Sequence, residues 1–223
     1  MSGKKRTHRV VAVNGGPRKN GNTARLLEEA LSGAARQGAA TETVHLYDLN
    51  FKGCRSCFWC KTKENYLAGR CAQKDGLSPV LDLLADSTGV VMGSPIYLGD
   101  VTGALRALFE RFVFINLAYD LDAPSVLKKG PSVGLVYTMN IPKEGMGPAG
   151  YEVILDTHAQ FFSRLKSPRF EQLFSCDTYQ FDDYSKFHAP MFNEPHKKEV
   201  RATQFPLDLR QAFEMGQRLA QNK

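Results

Sequence analysis

Two stretches of this 223-residue chain carry residue types that could do chemistry. In GGPRKNGNT, Gly16 is followed by four residues, then Gly21, Asn22 and Thr23. A phosphate-cradling P-loop has this spacing but a lysine where Asn22 stands. Without the lysine, and with no aspartate ending the third strand to hold magnesium, phosphoryl transfer is unsupported. The Rossmann fingerprint fails as well, because Pro17 takes the place of its second glycine. What remains is a set of backbone N–H groups, amide and hydroxyl side chains and a helix N-terminus, a site suited to one dianionic phosphomonoester. The plainer use of the same residues is a tight turn with Asn22 or Thr23 capping a helix.

The second stretch holds four of the five cysteines. Cys54, Cys57 and Cys60 are separated by two residues each, and Cys71 follows after ten more. Two-residue spacing lets thiolates converge on one cluster or one metal. A 4Fe–4S cluster, a zinc ion and a metal-free segment all remain open. An odd, crowded set of this kind, in a reducing compartment, points to metal or redox chemistry rather than a disulfide framework. Cys176 reads as a buried small hydrophobe.

Short apolar runs alternating with helical patterns must position these residues. RVVAVNGG reads as a buried strand ending in glycines, and Leu26, Leu27, Ala30, Leu31 and Ala34 share one face of the helix after it. TETVHLYDL, GVVMGSP, PSVGLVYTMN and FEQLFSCDT read as four more strands. Helices are expected around Pro79 to Ala85, from Val101 to Phe112, from Tyr151 to Leu165 and from Leu207 to Leu219. The expectation is an α/β, flavodoxin-like, doubly wound sheet of five parallel strands, order 2-1-3-4-5, with helices on both faces. One domain covers 1–223, with a cysteine-rich insertion at 51–75 and a C-terminal excursion at 179–206. Ligands of such sheets bind beyond the carboxyl ends of the strands, where GGPRKNGNT, GSPIYLGDVTG and TMNIPKEGMGPAG leave the first, third and fourth. Pro95 and Gly93 make the middle loop stiff, able to bear on a planar ring.

The net charge of +6 favours anions, although Lys4, Lys5 and Arg6 read as a solvated end. No arginine-rich stripe interleaved with aromatics is present, so nucleic acid is not an expected partner. Neither a membrane-length apolar run nor a signal-peptide core is found, and the expected location is cytoplasmic. His158 lies on an apolar helix face and reads as a core residue; His188 and His196 have no metal-like spacing.

GGPRKNGNT, GSPIYLGDVTGALRALFERF and TMNIPKEGM, in this order, resemble the FMN-dependent oxidoreductases of the multimeric flavodoxin and NADPH-dependent FMN reductase group. FKGCRSCFWC with GRC resembles its iron–sulfur flavoprotein branch, and DDYSKF, FPLDL and AFEMGQRL resemble the C-terminal segment of the same proteins. The likeness implies FMN, with the phosphate held by Gly16, Arg18, Asn20, Asn22 and Thr23. The ring would lie against Pro95, Ile96, Tyr97 and Leu98, with Thr138, Met139 and Asn140 along its other edge. Relatives commonly carry a serine where Gly16 stands, and the iron–sulfur branch has a shorter gap before its fourth cysteine.

The implied function is an FMN-dependent oxidoreductase passing electrons from NAD(P)H or a protein donor to a quinone, flavin or other acceptor. The alternative is an iron–sulfur flavoprotein that transfers electrons without turning over a nicotinamide. A third reading is a non-enzymatic phosphate- or metal-binding module. Tyr179, Phe181, Tyr184, Phe187 and Phe192 form an aromatic set outside the strand–helix pattern. They suggest a homodimer or homotetramer interface, or a segment folded over its own core.

Overall fold

A computed structural model of the chain describes residues 7–221; the basic residues Lys4, Lys5 and Arg6 lie outside them. The strands are β1 (Thr7–Asn14), β2 (Ala40–His45), β3 (Ser87–Tyr97), β4 (Asp100–Val101), β5 (Ser132–Thr138) and β6 (Phe170–Ser175). The helices are α1 (Asn22–Arg36), α2 (Ser78–Asp86), α3 (Gly103–Asn116), α4 (Tyr151–Ser163) and α5 (Glu194–Ala220). The parallel strands run in the order β2-β1-β3-β5-β6, which is the expected 2-1-3-4-5 once the two-residue β4 is set aside. That small strand pairs antiparallel with the end of β3. It was not anticipated, since a two-residue strand leaves no periodic trace.

Alternation along the central strands divides the interior. Val11 and Val13 of β1, Val90 and Met92 of β3 and Leu135 and Tyr137 of β5 face α2, α3 and α4. Val10, Ala12, Val91 and Val136 face α1 and α5. Strands covered on both faces must be apolar throughout, which is why β1 and β3 read as continuous runs.

The C-terminal excursion ends earlier than expected. Residues 194–206 are helical, and α5 begins at Glu194 rather than near Leu207. Pro206 interrupts the periodic pattern, because it lacks the N–H that would bond back to Ala202. The start is nevertheless well specified: Asn193 Oδ1 accepts from the His196 N–H at 3.1 Å, and Pro195 occupies the first turn. The aromatics of residues 179–187 pack on one another, with Phe181 stacked on Phe187 at 4.2 Å and set edge-on to Tyr184 at 5.0 Å.

α1 and α5 meet backbone to backbone. A Cβ on Gly33 would lie 1.9 Å from the Phe213 carbonyl oxygen, and one on Gly216 would lie 1.7 Å from that of Ala30. No side chain fits at either place. Gly216→Ala is therefore expected to destabilise the fold by at least about 1–3 kcal/mol, lowering Tm by about 2–4 °C per kcal/mol. Gly103→Ala meets nothing within 4 Å and should leave Tm unchanged or raised. Equal melting curves for the two variants by circular dichroism would refute this account of the helix contact.

Candidate functional site

The loops after β1, β3 and β5 converge at the carboxyl edge of the sheet around a cavity of about 500 Å³. The loop after β1 is shaped by Asn14, fully buried at the strand end. Its Oδ1 accepts from the Gly16 N–H at 2.9 Å, and its Nδ2 donates to the Arg18 carbonyl at 3.4 Å. The Gly15 N–H donates to the Gly93 carbonyl at 2.8 Å. A Cβ on Gly15 would sit 2.8 Å from that of Leu105, and one on Gly16 would sit 3.0 Å from Pro95 Cδ and 3.3 Å from Asn14 Oδ1. The backbone thus lies flush against its neighbours, and a serine at position 16 would press on Pro95. Thr23, buried in the first turn of α1, shares a hydrogen bond of 2.7 Å with Thr138 at the end of β5.

The loop after β3 is a hairpin. Ile96 pairs with Val101 and Tyr97 with Asp100, leaving Leu98 and Gly99 as a two-residue turn with φ of +54° and +89°. Both central residues must be left-handed in such a turn, which costs a non-glycine residue about 1–2 kcal/mol. Leu98 is nonetheless a fully exposed leucine at the cavity mouth. Strain of this kind clusters where a ligand is clamped. At the start of α3, Thr102 ties two loops together: its N–H donates to Ser94 Oγ at 3.0 Å and its hydroxyl donates to the Gly15 carbonyl at 2.5 Å.

The hairpin is also held from below. His158 of α4, fully buried, places Nε2 3.1 Å from Asp100 Oδ1 and Nδ1 3.0 Å from the Tyr137 hydroxyl. Burial pushes its pKa down, against the pull of Asp100 upward, so it is the packed core histidine its sequence position suggested. Cys176 is likewise half-buried, its thiol pushed up to about 11 chiefly by burial.

Of the residues expected at the site, Gly16, Arg18, Asn22 and Thr23 line the cavity on one side. Pro95, Ile96, Tyr97 and Leu98 form its shelf, and Thr138, Met139 and Asn140 its far edge. Asn20 is the exception and lines a neighbouring cavity of about 510 Å³ that shares Arg18, Gly21 and Asn22. The Asn22 side chain is already engaged, its Nδ2 donating to the Tyr179 carbonyl at 3.0 Å and its Oδ1 accepting from Arg201 at 2.7 Å. Arg18 donates to the Gln180 carbonyl at 2.8 Å. Asn140 Nδ2 donates to Gln180 Oε1 at 2.8 Å, while its buried Oδ1 has no hydrogen-bond partner.

Sequence reasoning missed Asn14, Thr102, Gln180 and Arg201. A polar residue closing an apolar strand was the available signal for Asn14. Nothing local marks the other three. Among the described lining residues the ionisable side chains are Arg18 and Tyr97, so the wall has no acid–base pair of its own.

The cysteine segment packs on α3. Arg111, buried, holds the Asp75 carboxylate with bonds of 2.6 and 2.9 Å and donates to the Lys52 carbonyl at 3.2 Å. Burial works against the Asp75 charge, but the Arg111 guanidinium prevails and lowers its pKa. Glu110 accepts from the Cys54 N–H at 3.1 Å. Lys61 donates to the Phe114 and Leu117 carbonyls and lies 4.4 Å over the Phe114 ring, satisfying the open end of α3.

All four clustered thiols are free; Cys54 and Cys57 are exposed and Cys60 is buried. Burial raises the Cys60 pKa against the pull of the Lys61 charge, which lowers it, and the neighbouring Cys71, Cys54 and Cys57 add to the rise. Between them Ser56 and Phe58 take φ of +50° and +55°, the left-handed region that non-glycine residues seldom adopt. Among the described residues no three histidine, cysteine, aspartate or glutamate side chains converge on a single-ion site.

Comparison with known proteins follows this geometry. The model of the NADPH-dependent FMN reductase family matches residues 8–139, which carry the loops after β1 and β3, the cysteine segment and β5 up to the start of the third loop. The chain belongs to this family. It is 32% identical over 113 residues to an iron–sulfur flavoprotein of Methanocaldococcus jannaschii, covering 51% of this chain and 56% of that protein. The chain spans about half the length of the first curated relatives it matches. The fold is shared with an FMN-dependent NADH-azoreductase of Bacillus anthracis in complex with FMN, at a TM-score of 0.66, 13% identity and coverage of 96% and 99%. It is shared also with an NAD(P)H:quinone oxidoreductase of Methanothermobacter marburgensis, at 0.64 and 13%, covering 97% and 99%.

Proposed function

We propose that the protein is an FMN-dependent oxidoreductase that takes electrons from NADPH or NADH and passes them to a quinone, flavin or related acceptor. The observation that carries this reading is the cavity between the three loops. Its volume suits one cofactor-sized ligand, with a phosphate-type loop at one end, an apolar shelf in the middle and the unpartnered Asn140 Oδ1 at the far edge. A buried acceptor without a partner is costly unless a ligand donates to it. FMN fits this arrangement: the loop N–H groups and Arg18 would take its phosphate, and Pro95, Ile96 and Met139 its ring.

Bound there, FMN would supply the hydride and electron chemistry that the wall lacks. The chain's own part is positional. Thr23 and Thr138 fix the phosphate loop to β5, and Asp100 and His158 hold the hairpin. Leu98 and Tyr97 stand exposed at the cavity mouth. A cytoplasmic location belongs to the same reading, supported by five free thiols. So does self-association as a homodimer or homotetramer with the 179–206 segment in the interface, supported by the exposed Phe187 and Met191 within it; light scattering showing only monomer across a wide concentration range would end that part.

Arg18→Ala is expected to weaken FMN about tenfold while changing riboflavin far less, because only FMN offers a charged phosphate. In anaerobic protein the bound flavin spectrum should bleach on NADPH or NADH addition. Equal weakening of both flavins in a fluorescence titration, or no bleaching by either nucleotide, would sink the assignment.

The cysteine segment supports a second reading, electron transfer through an iron–sulfur centre with a protein donor. A 4Fe–4S cluster takes one thiolate at each iron corner, four in all, and this one segment carries four free thiols. Cys54, Cys57, Cys60 and Cys71 would hold it. Anaerobic reconstitution with iron and sulfide should give brown protein with about four irons per chain, and Cys57→Ser and Cys71→Ser should each abolish the colour. Wild type that takes up no iron would leave the flavin reductase alone standing.

A further inference from the structure

The phosphate loop has a second side. α1 begins at Asn22 after Gly21, which offers no side-chain cap, and has no acidic residue in its first turn. That turn instead carries Arg25, a cation at the positive end of the helix dipole, where an anion is favoured. Across from it stands Arg201 of α5, half-buried, with its guanidinium 4.3 Å over the Phe205 ring. Arg25 lies 5.1 Å from the same ring. Two guanidinium groups therefore share one aromatic side chain.

Among the described residues, no carboxylate lies within ion-pair distance of Arg18, Arg25 or Arg201. The acids on this wall are Asp182 and Asp183, and Asp183 is taken by Lys186 at 3.3 Å and by Ser185. Burial lowers the Arg201 pKa and Arg25 lowers it further, so the pair is held together against both desolvation and repulsion. Arg201 spends one donor on Asn22 Oδ1, at 2.7 Å, and lines the cavity that shares Arg18, Gly21 and Asn22 with the flavin-sized one. An anion at this loop would relieve both costs.

We infer that Arg201 supplies a second cation to the phosphate site, from the α5 side of the loop opposite Arg18, and so sets the preference for a phosphorylated flavin over an unphosphorylated one. The inference rests on the FMN reading and adds a residue from outside the segment matched by the family, which ends at residue 139. A phosphomonoester carries close to two negative charges at neutral pH, and Arg18 alone offers one positive charge. With Arg201 the charges balance across the loop. Arg25 reinforces the field through the shared Phe205 ring.

The test is fluorescence titration of FMN and of riboflavin against wild type, Arg201→Met, Arg201→Gln and Arg201→Lys, with Tm measured for each. Arg201→Met and Arg201→Gln should weaken FMN about tenfold or more and riboflavin by no more than about twofold. Arg201→Lys should keep most of the preference, since the charge remains. If Arg201→Met fails to fold, the Gln and Lys variants carry the same comparison. Equal weakening of both flavins by Arg201→Gln would overturn the role of Arg201 while leaving the FMN reading intact. Wild type that binds neither flavin would overturn both.

Discussion

The direct contact between the backbones of α1 and α5 is the constraint on which the functional end of the molecule depends. Gly33 and Gly216 let the two helices approach until carbonyl oxygens occupy the space of a Cβ. With that distance fixed, the register of α5 along α1 is fixed too, because neither helix can slide past a backbone contact that tight without meeting side chains. The N-terminal half of α5 then lies beside the first turn of α1, bringing Arg201 to Asn22 and Phe205 between Arg25 and Arg201. An element near the end of the chain thereby closes a loop near its beginning. The segment before α5 does the same through Tyr179 and Gln180, whose carbonyls accept from Asn22 and Arg18.

The loop itself is held in a shape it could not keep alone. Glycine backbone is entropically costly to order, and Gly15, Gly16 and Gly21 stand within seven residues. Asn14 offsets part of that cost by using its buried amide as a template for the Gly16 N–H and the Arg18 carbonyl. Thr102 and Gly93 fasten the other side. Each anchor sits at a strand end or a helix start, so the rigid sheet sets the loop. The hairpin after β3 stands in contrast. Its left-handed Leu98 is strained and solvent-facing, while Asp100 and the buried His158 keep the strand beneath it in place.

Much of this was legible from residue types. β1, β3 and β5 announce themselves because a strand covered on both faces has no polar positions to confuse the pattern, and the three glycine-bearing loops follow from where those strands end. All but Asn20 of the residues expected around one ligand do line one cavity, since residues leaving adjacent parallel strands must emerge side by side. Asn20 faces the neighbouring cavity because the turn at Arg18–Gly21 rotates it outward. The start of α5 was hidden by Pro206, which breaks the periodicity without ending the helix once packing against α1 holds both halves. Arg201 was illegible for a different reason: its relation to Asn22 spans 179 positions, and no local pattern encodes a contact of that separation. Leu98 could not be read either, because a leucine carries no sign that its backbone will be left-handed.

α3 joins the two chemically equipped regions. Thr102 at its start is bonded into the cavity loops, and Glu110, Arg111 and the carbonyls of Phe114 and Leu117 farther along grip the cysteine segment. From Gly103 to Glu110 the helix rises about 10 Å, a rigid spacing that loops alone could not keep. The grip is strong where it must be. Arg111 is buried with its charge answered by Asp75, and removing Asp75 would leave a buried ion without its counter-charge, a loss of about 3–5 kcal/mol. The thiols lie on the far side of that anchor, and Cys54 and Cys57 are exposed on backbone that Ser56 and Phe58 force into left-handed turns.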